Sequence, residues 1–291
     1  LIRSVLMVRG NQPRTLPQRG FTMTNSTEKF DMNAAPIRID TVRLRVRDLD
    51  AVSSFYRDVL GLVPLAEAGS SVTLGTEETP LLHLDGDPAL RPRDPKQVGL
   101  FHTAFLLPSR GDLARWLGHV AETDVRLQGA SDHIVSEALY LADPEGNGIE
   151  VYVDRPPSQW RDSAGDIRMA TDPLDLKDLI RTAQGRIWAG FPKGGIIGHV
   201  HLQVGDTKEA DRFYRDALGF DIAASYPGAS FYGSGGYHHQ LAGNIWNSRR
   251  AGKRDSSEAG LDEITLGVDP SARQAITQRL GGDRFIDPWG T

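Results

Sequence analysis

The sequence predicts an α+β fold in which four βαβββ motifs pair into two curved-sheet modules. Two observations carry this prediction. The chain repeats itself, because "VRLRVRDLDAVSSFYRDVLGL" at residues 42–62 returns as "VHLQVGDTKEADRFYRDALGF" at residues 200–220, a constant offset of 158 positions. Each copy also changes from the two-residue period of a strand to the helical period within one unit. Such a repeat is typical of a fold assembled from one supersecondary unit.

The elements of the first copy follow in order along the chain. An alternating strand ends at Asp48, whose side chain can cap the following helix. The helix places Val52, Tyr56 and Val59 at helical spacing and stops at Gly61. Short β-like runs broken by Gly, Pro and Asp then complete the unit: "SVTLG" and "LLHLDGD" here, "ASFYGSGG" and "YHHQLAG" in the second copy.

A second, weaker pair of units lies between and after these copies. "LFHTAFLLPSRGDLARWLGHV" is echoed by "LDEITLGVDPSARQAITQRLGG", and "ADPEGN" by the terminal "IDPWGT". One such unit cannot bury both faces of its sheet, so pairing is expected. The predicted motifs span about 37–90, 98–154, 195–248 and 259–291, and the predicted divisions are a first module (37–154), a linker (155–194) and a second module (195–291) whose last strand is truncated.

The segment 1–36 is predicted to be a disordered leader, since it is rich in arginine, has no acidic residue before Glu28, and holds only a short apolar run. Met23 and Met32 are possible alternative starts of translation.

Composition excludes several classes of protein. With a net charge of −5 and no basic stripe, the chain is not expected to bind nucleic acid. No apolar run approaches the roughly 20 residues that span a bilayer, so no membrane is expected as a partner. Cysteine is absent, so any metal must be bound by His, Asp or Glu. A cytoplasmic location and a homo-oligomeric state are expected.

Three polar residues stand in otherwise apolar predicted strands. His102 lies in "GLFHTAFLL", His199 in "IIGHVHLQV" and Glu150 in "GNGIEVYVD". A buried carboxylate is costly unless it is paired. Two imidazoles and one carboxylate on separate strands match the facial set that non-haem Fe(II) oxygenases use.

An ordinary structural role is the alternative for each residue alone, because a single strand histidine is more often a packing residue than a ligand. The repeat supplies a comparison: Thr41 stands at the counterpart of His199, and the chain ends before any counterpart of Glu150. We therefore expect one live site, built by the second and third motifs, and a vestigial pairing of the first with the fourth.

This four-motif arrangement resembles the vicinal oxygen chelate superfamily, which includes glyoxalase I, bleomycin-resistance and fosfomycin-resistance proteins and extradiol ring-cleavage dioxygenases. The stretch "HIVSEALYLADPEGNGIE" is similar to the extradiol dioxygenase pattern, with Ser131 as one departure two residues before the histidine. The matching residues are His133, Leu139, Tyr140, Asp143, Pro144, Gly146 and Glu150.

The resemblance implies a catechol 2,3-dioxygenase-like enzyme of aromatic catabolism that inserts O₂ into a small aromatic diol and gives a hydroxymuconic semialdehyde. It implies Fe(II), with Mn(II) possible, held by His102, His199 and Glu150. His133 and Tyr140 would bind substrate oxygens. A glyoxalase-type isomerase or lyase, a bleomycin-resistance-like binding protein, and hydroquinone cleavage stay open as alternatives.

The resemblance also implies an acid/base histidine in "GGYHHQLAG", on the last strand of the third motif. Neighbours on a strand face opposite ways, so one of the pair points inward. We favour His239, with Tyr237 on the same face, and keep His238 as the alternative. His201 and Trp246 are further candidates for substrate contact, and Phe231 for the lining of the ring pocket.

Overall fold

The computed structural model describes residues 5–10 and 29–291, and its strands form two mixed sheets. The strands are β1 (Val5–Gly10), β2 (Ile37–Val46), β3 (Val63–Ala68), β4 (Ser71–Gly75), β5 (Pro80–Gly86), β6 (Gly99–Leu106), β7 (Gly129–Asp132), β8 (Ser136–Ala142), β9 (Gly148–Asp154), β10 (Asp172–Pro173), β11 (Ile196–Gln203), β12 (Asp221–Tyr226), β13 (Ala229–Gly233), β14 (Leu241–Asn244), β15 (Gly260–Val268) and β16 (Arg284–Phe285). The helices are α1 (Leu49–Asp58), α2 (Arg110–Ala121), α3 (Leu176–Arg181), α4 (Thr207–Asp211), which continues as a π-helix over Arg212–Ala217, and α5 (Pro270–Leu280).

The α+β fold of repeated βαβββ motifs is confirmed. In each of the first three motifs, the first and last strands pair in parallel: β2 with β5, β6 with β9, and β11 with β14. The predicted helix cap is also present in both copies. The side chain of Asp48 accepts a hydrogen bond from the Ala51 amide, and that of Asp206 accepts one from the Glu209 amide.

The pairing of motifs two with three and one with four is confirmed by the sheets. Strand β6 pairs antiparallel with β11 in the nine-stranded sheet, and β2 pairs antiparallel with β15 in the seven-stranded sheet. Each sheet therefore draws strands from both 37–154 and 195–291, which corrects the assignment of one curved sheet to each half of the chain. The apolar first strands need a partner on both edges, and each finds its second partner in the other half.

The expectation of a disordered leader is wrong for the residues of 1–36 that the structure describes. Strand β1 runs parallel to β15, in the place where the other motifs put their own last strand, and Leu6 is fully buried. It covers an edge of β15 that would otherwise expose unpaired backbone groups. Met32 and Ala35 pack against Trp160 and Tyr237. Residues 1–4 and 11–28, with Met23, lie outside the described residues.

The segment predicted as a linker, 155–194, is folded against the nine-stranded sheet. Trp160 is buried, strand β10 pairs with β7, and helix α3 packs against α2. This placement brings part of the segment to the site described below. Among the described residues, no helix is both long and apolar enough to cross a membrane.

Candidate metal centre and its cavity

Three side chains from three adjacent strands meet at one point of the nine-stranded sheet. Strand β6 carries His102, β9 carries Glu150 and β11 carries His199, and the sheet order places β6 between the other two. Oε2 of Glu150 lies 3.0 Å from Nε2 of His102 and 3.2 Å from Nε2 of His199, and the two Nε2 atoms are 3.3 Å apart. The structure thus brings together the three predicted ligands.

The charge state of this group suits metal binding. All three side chains are buried, with at most 6% of any of these residues exposed. Burial alone would raise the pKa of the Glu150 carboxyl, but the imidazoles of His199 and His102 outweigh it and hold that pKa well below its usual range. Burial lowers the pKa of His199. An ionised carboxylate beside neutral imidazoles is the form that binds a cation.

The donor set fits a divalent metal. Ligands at right angles and about 2.1 Å from one metal lie about 3 Å from each other, which matches the observed triangle. Three donors on one side leave the opposite positions open, as in non-haem iron sites. In the part of the chain that the structure describes, this is the one cluster of His, Asp or Glu close enough to bind an ion.

Two glycines let the ligand strands approach their neighbours. A Cβ on Gly148 would lie 2.0 Å from the carbonyl oxygen of Phe101, and one on Gly198 would lie 1.8 Å from the hydroxyl oxygen of Tyr152. Because Gly148 and Gly198 lie within two residues of Glu150 and His199, side chains there would displace the ligands themselves.

We therefore expect Gly198→Ala to destabilise the fold by about 1 to 3 kcal/mol through overpacking. Gly252→Ala is the matched control, because a Cβ there meets nothing within 4 Å, and it should stay within about 0.5 kcal/mol of the parent. Urea unfolding of both variants measures the difference. Equal midpoints for the two variants would show that Tyr152 yields without cost.

His133 and Tyr140 form a hydrogen-bonded pair on the cavity wall. Nδ1 of His133 donates to the Ala170 carbonyl at 2.6 Å, which leaves Nε2 of the neutral ring to accept from the Tyr140 hydroxyl, also at 2.6 Å. Burial and the Glu150 carboxylate raise the pKa of Tyr140 well above its usual value, so the hydroxyl keeps its proton. The sequence indicated both residues but not the carbonyl of Ala170 that fixes the imidazole.

The backbone beside this histidine is strained. Ile134 has φ of +69°, an uncommon conformation for a β-branched residue, and the carboxylate of Asp132 holds its amide. The left-handed conformation of Ile134 lets the chain turn sharply between β7 and β8, and His133 lies at the start of that turn.

The His-His pair lies in the loop between β13 and β14, which corrects its expected position on a strand. The two rings nevertheless face different ways: His239 lines the cavity and stacks on His199, with ring centroids 4.2 Å apart, whereas Nε2 of His238 contacts Asp154. Tyr237 does not share the side of His239. It stacks on His238 and is buried with Trp160. Side chains do not alternate between two faces here, because these residues lie in a loop and not on a strand.

The remaining candidates line the same cavity. The amide nitrogen of Asn244 donates to Nε2 of His201, so the neutral ring carries its proton on Nδ1. Burial and the nearby imidazoles lower the pKa of His201 well below its usual value. Phe231 and Trp246 both lie in ring contact with His201, and 47% of Trp246 is exposed at the cavity mouth.

The cavity has a volume of about 600 Å³ and is lined by apolar side chains around the metal ligands. Ile167, Met169 and Ala170 from the segment 155–194 form part of its wall. Sequence reasoning missed these residues, because nothing in their local pattern distinguishes a cavity wall from a polar linker.

Paired βαβββ motifs around two histidines and one carboxylate define a class of metal-binding proteins built on one repeated unit. The chain belongs to the Glyoxalase/Bleomycin resistance protein/Dioxygenase superfamily, whose family model matches residues 38–151 and 196–259.

Two relatives and one solved structure are similar to this chain. It is 41% identical to a catechol-2,3-dioxygenase of Bacillus subtilis (strain 168), over 78% of this chain and 81% of that protein. It is 35% identical to biphenyl-2,3-diol 1,2-dioxygenase 3 of Rhodococcus globerulus, over 38% of this chain and 60% of that protein. The fold is similar to that of a glyoxalase I mutant from Zea mays, with a TM-score of 0.51, 15% identity, and coverage of 89% of this chain and 92% of that one.

Proposed function

We propose that this chain is an extradiol dioxygenase that uses Fe(II) to insert O₂ into the ring of a catechol or substituted catechol, next to the diol, giving a 2-hydroxymuconic semialdehyde-type product. The observation that carries the proposal is the triangle of His102, Glu150 and His199 at the wall of an apolar cavity, in a chain that is 41% identical to a catechol-2,3-dioxygenase.

His102, His199 and Glu150 would hold the metal through the atoms that face one another. Bound Fe(II) would supply Lewis acidity toward the diol oxygens and a path for electrons from the diol, which is the group oxidised, to O₂. Mn(II) accepts the same ligands, and metal analysis of the purified protein decides between the two. The protein contributes an apolar cavity and fixed positions for the reactants, which reduces the entropy lost on bringing them together.

His239 is the proposed base toward a diol hydroxyl. Burial is the main cause that lowers its pKa well below the usual value, and the neighbouring imidazoles of His199 and His238 act in the same direction. The ring is therefore neutral at pH 7 and ready to accept a proton, which breaks the O–H bond of the diol and forms an N–H bond on the imidazole. The same group can return the proton later in the reaction.

Tyr140 and His133 are proposed to bind the substrate oxygens. The Tyr140 hydroxyl keeps its proton and lies beside Glu150, and on substrate binding it would exchange its hydrogen bond to His133 for one to the negative charge that develops on the substrate. Phe231 and Trp246 provide apolar surface for the aromatic ring, and His201 lies between them and His102.

The size of the cavity favours a diol that carries a substituent. A volume of about 600 Å³ lies in the range of drug-sized ligands, and a single catechol ring is much smaller. We expect Met169→Trp, which fills part of the cavity, to lower kcat/KM for biphenyl-2,3-diol about 10-fold more than for catechol. Met169→Leu is the control of similar volume. Equal losses for both substrates would show that Met169 lies outside the binding region for the substituent.

Anaerobic reconstitution tests the function directly. The protein is loaded with Fe(II), mixed with catechol, a substituted catechol or a hydroquinone, and exposed to air while oxygen uptake and the appearance of a yellow ring-fission product are followed. Uptake of one O₂ per diol supports the proposal, whereas no uptake with any of the three substrates overturns it. Uptake with hydroquinone alone would change the substrate class. A homo-oligomeric state and a cytoplasmic location stay predictions.

A further inference from the structure

We propose that Asp154 and His238 position His239, holding it in the tautomer that leaves Nε2 free to take a proton. The importance of this tautomer for turnover rests on the proposed dioxygenase function. The arrangement of the protons follows from the hydrogen bonds of two neutral rings and does not depend on that function.

A chain of two short contacts links a carboxylate to the cavity. Oδ1 of Asp154 lies 2.9 Å from Nε2 of His238, and Nδ1 of His238 lies 2.9 Å from Nδ1 of His239. The hydroxyl of Tyr237 donates to the same Asp154 oxygen at 3.1 Å. Of the two histidines, only His239 lines the cavity.

The direction of these bonds assigns the protons. A carboxylate only accepts, so Nε2 of His238 carries the proton that faces Asp154. In the neutral ring, Nδ1 of His238 then has a lone pair. The 2.9 Å contact between the two Nδ1 atoms needs one donor, which is therefore His239. Neutral His239 with its proton on Nδ1 has its lone pair on Nε2, at the other edge of the ring from His238.

Packing keeps this chain in place although the two histidines lie in a loop. His238 is fully buried, with its ring 4.0 Å from that of Tyr237 and 4.9 Å from that of Trp160, measured between centroids. Asp154 lies four residues after Glu150 on strand β9, and so one strand holds both a metal ligand and the carboxylate that directs the base.

The tautomer can be observed directly. The full chain, labelled with ¹⁵N-histidine and loaded with diamagnetic zinc, is studied by two-bond ¹H–¹⁵N correlation spectra, with His239→Gln to assign the signals of His239. We expect a proton on Nδ1 of His239 in the parent. In Asp154→Ala the ring of His238 loses its acceptor, so we expect the proton of His239 to move to Nε2 in a large fraction of molecules.

Kinetics of the iron-loaded protein supply the second measurement. We expect Asp154→Ala and His238→Phe to lower kcat about 10- to 100-fold, with KM and iron content close to those of the parent. Tyr237→Phe removes a donor to Asp154 but leaves the acceptor, so the tautomer should be unchanged. His238→Phe retains the aromatic ring that stacks on Tyr237. If His238→Phe folds poorly, Asp154→Ala serves as the second variant.

Two outcomes would overturn the positioning role. One is a parent protein in which His239 carries its proton on Nε2. The other is a tautomer of His239 that is unchanged in both Asp154→Ala and His238→Phe. If the protein cleaves no diol but Asp154→Ala still moves the proton, the dioxygenase proposal fails and the tautomer assignment stands. If diols are cleaved but the tautomer does not change in the variants, the dioxygenase proposal stands and the positioning role of Asp154 and His238 fails.

Discussion

Glu150→Gln is expected to weaken metal binding by at least about 100-fold and to abolish ring cleavage. Exchange of a partner outside the ligand set already costs about 10- to 100-fold in many metal sites, and this substitution removes the single negative ligand. The amide has nearly the shape of the carboxylate, so the loss is one of charge and not of packing. Metal content after dialysis, measured by elemental analysis, gives the result.

Stability toward heat provides an independent measurement of the same substitution. A metal at 100 times its dissociation constant stabilises the folded parent by about 2.7 kcal/mol, and chelation should remove that stabilisation. The Glu150→Gln protein should respond little to metal or chelator. Asp262→Asn is the matched control, since Asp262 is a largely buried carboxylate of β15 in the other sheet, away from the proposed ligands. A metal response lost in both variants would contradict a single site between the second and third motifs.

The ligand set could be predicted because the repeat supplies a comparison within one sequence. His102, His199 and Glu150 interrupt apolar strands, Thr41 stands at the counterpart of His199, and strand periodicity places the three residues on a common face. The cost of burying a charge then indicates a metal. Each step depends on local pattern and on the internal symmetry of the chain.

The surroundings of the ligands could not be predicted in the same way. His238 and His239 lie in a loop, where side chains do not alternate as they do on a strand. The prediction that Tyr237 shares the face of His239 was therefore wrong. Asp154 acts through a contact across 84 positions of the chain, and Met169 lines the cavity from a segment with no regular pattern. Contacts that depend on loop conformation and on distant segments leave no period in the sequence.

The edge of the second sheet is a further example. The last strand of the fourth motif was predicted to be truncated, and the structure has β1 paired in parallel with β15 at the place of that strand. An apolar run of the kind found in β1 is compatible with a strand, but nothing in its sequence indicates which strand it pairs with. The unpaired backbone N–H and C=O groups at the edge of β15 favour the pairing with β1, and this edge exists only once the sheet has formed.

His239→Gln is expected to lower kcat by about 100- to 10,000-fold while the protein keeps its metal, because the variant loses the proposed base but none of the three ligands. The reaction of the parent should also depend on pH in a defined direction. Burial holds the pKa of His239 below its usual value of 6.5, and a bound cation would lower it further. The base is thus unprotonated at neutral pH, and kcat should fall only as the pH decreases below about 6.5.

The control for this substitution is His119→Gln on helix α2, whose ring contacts the carbonyl of Asp58 away from the cavity. It should retain the parental kcat and pH profile. Stopped-flow measurements of ring-fission product at saturating diol and O₂, from pH 5 to 8, separate the possibilities. If His239→Gln loses its metal, the imidazole is a ligand; if it turns over at the parental rate, another group removes the diol proton, and the Tyr140–His133 pair is the nearest alternative on the cavity wall.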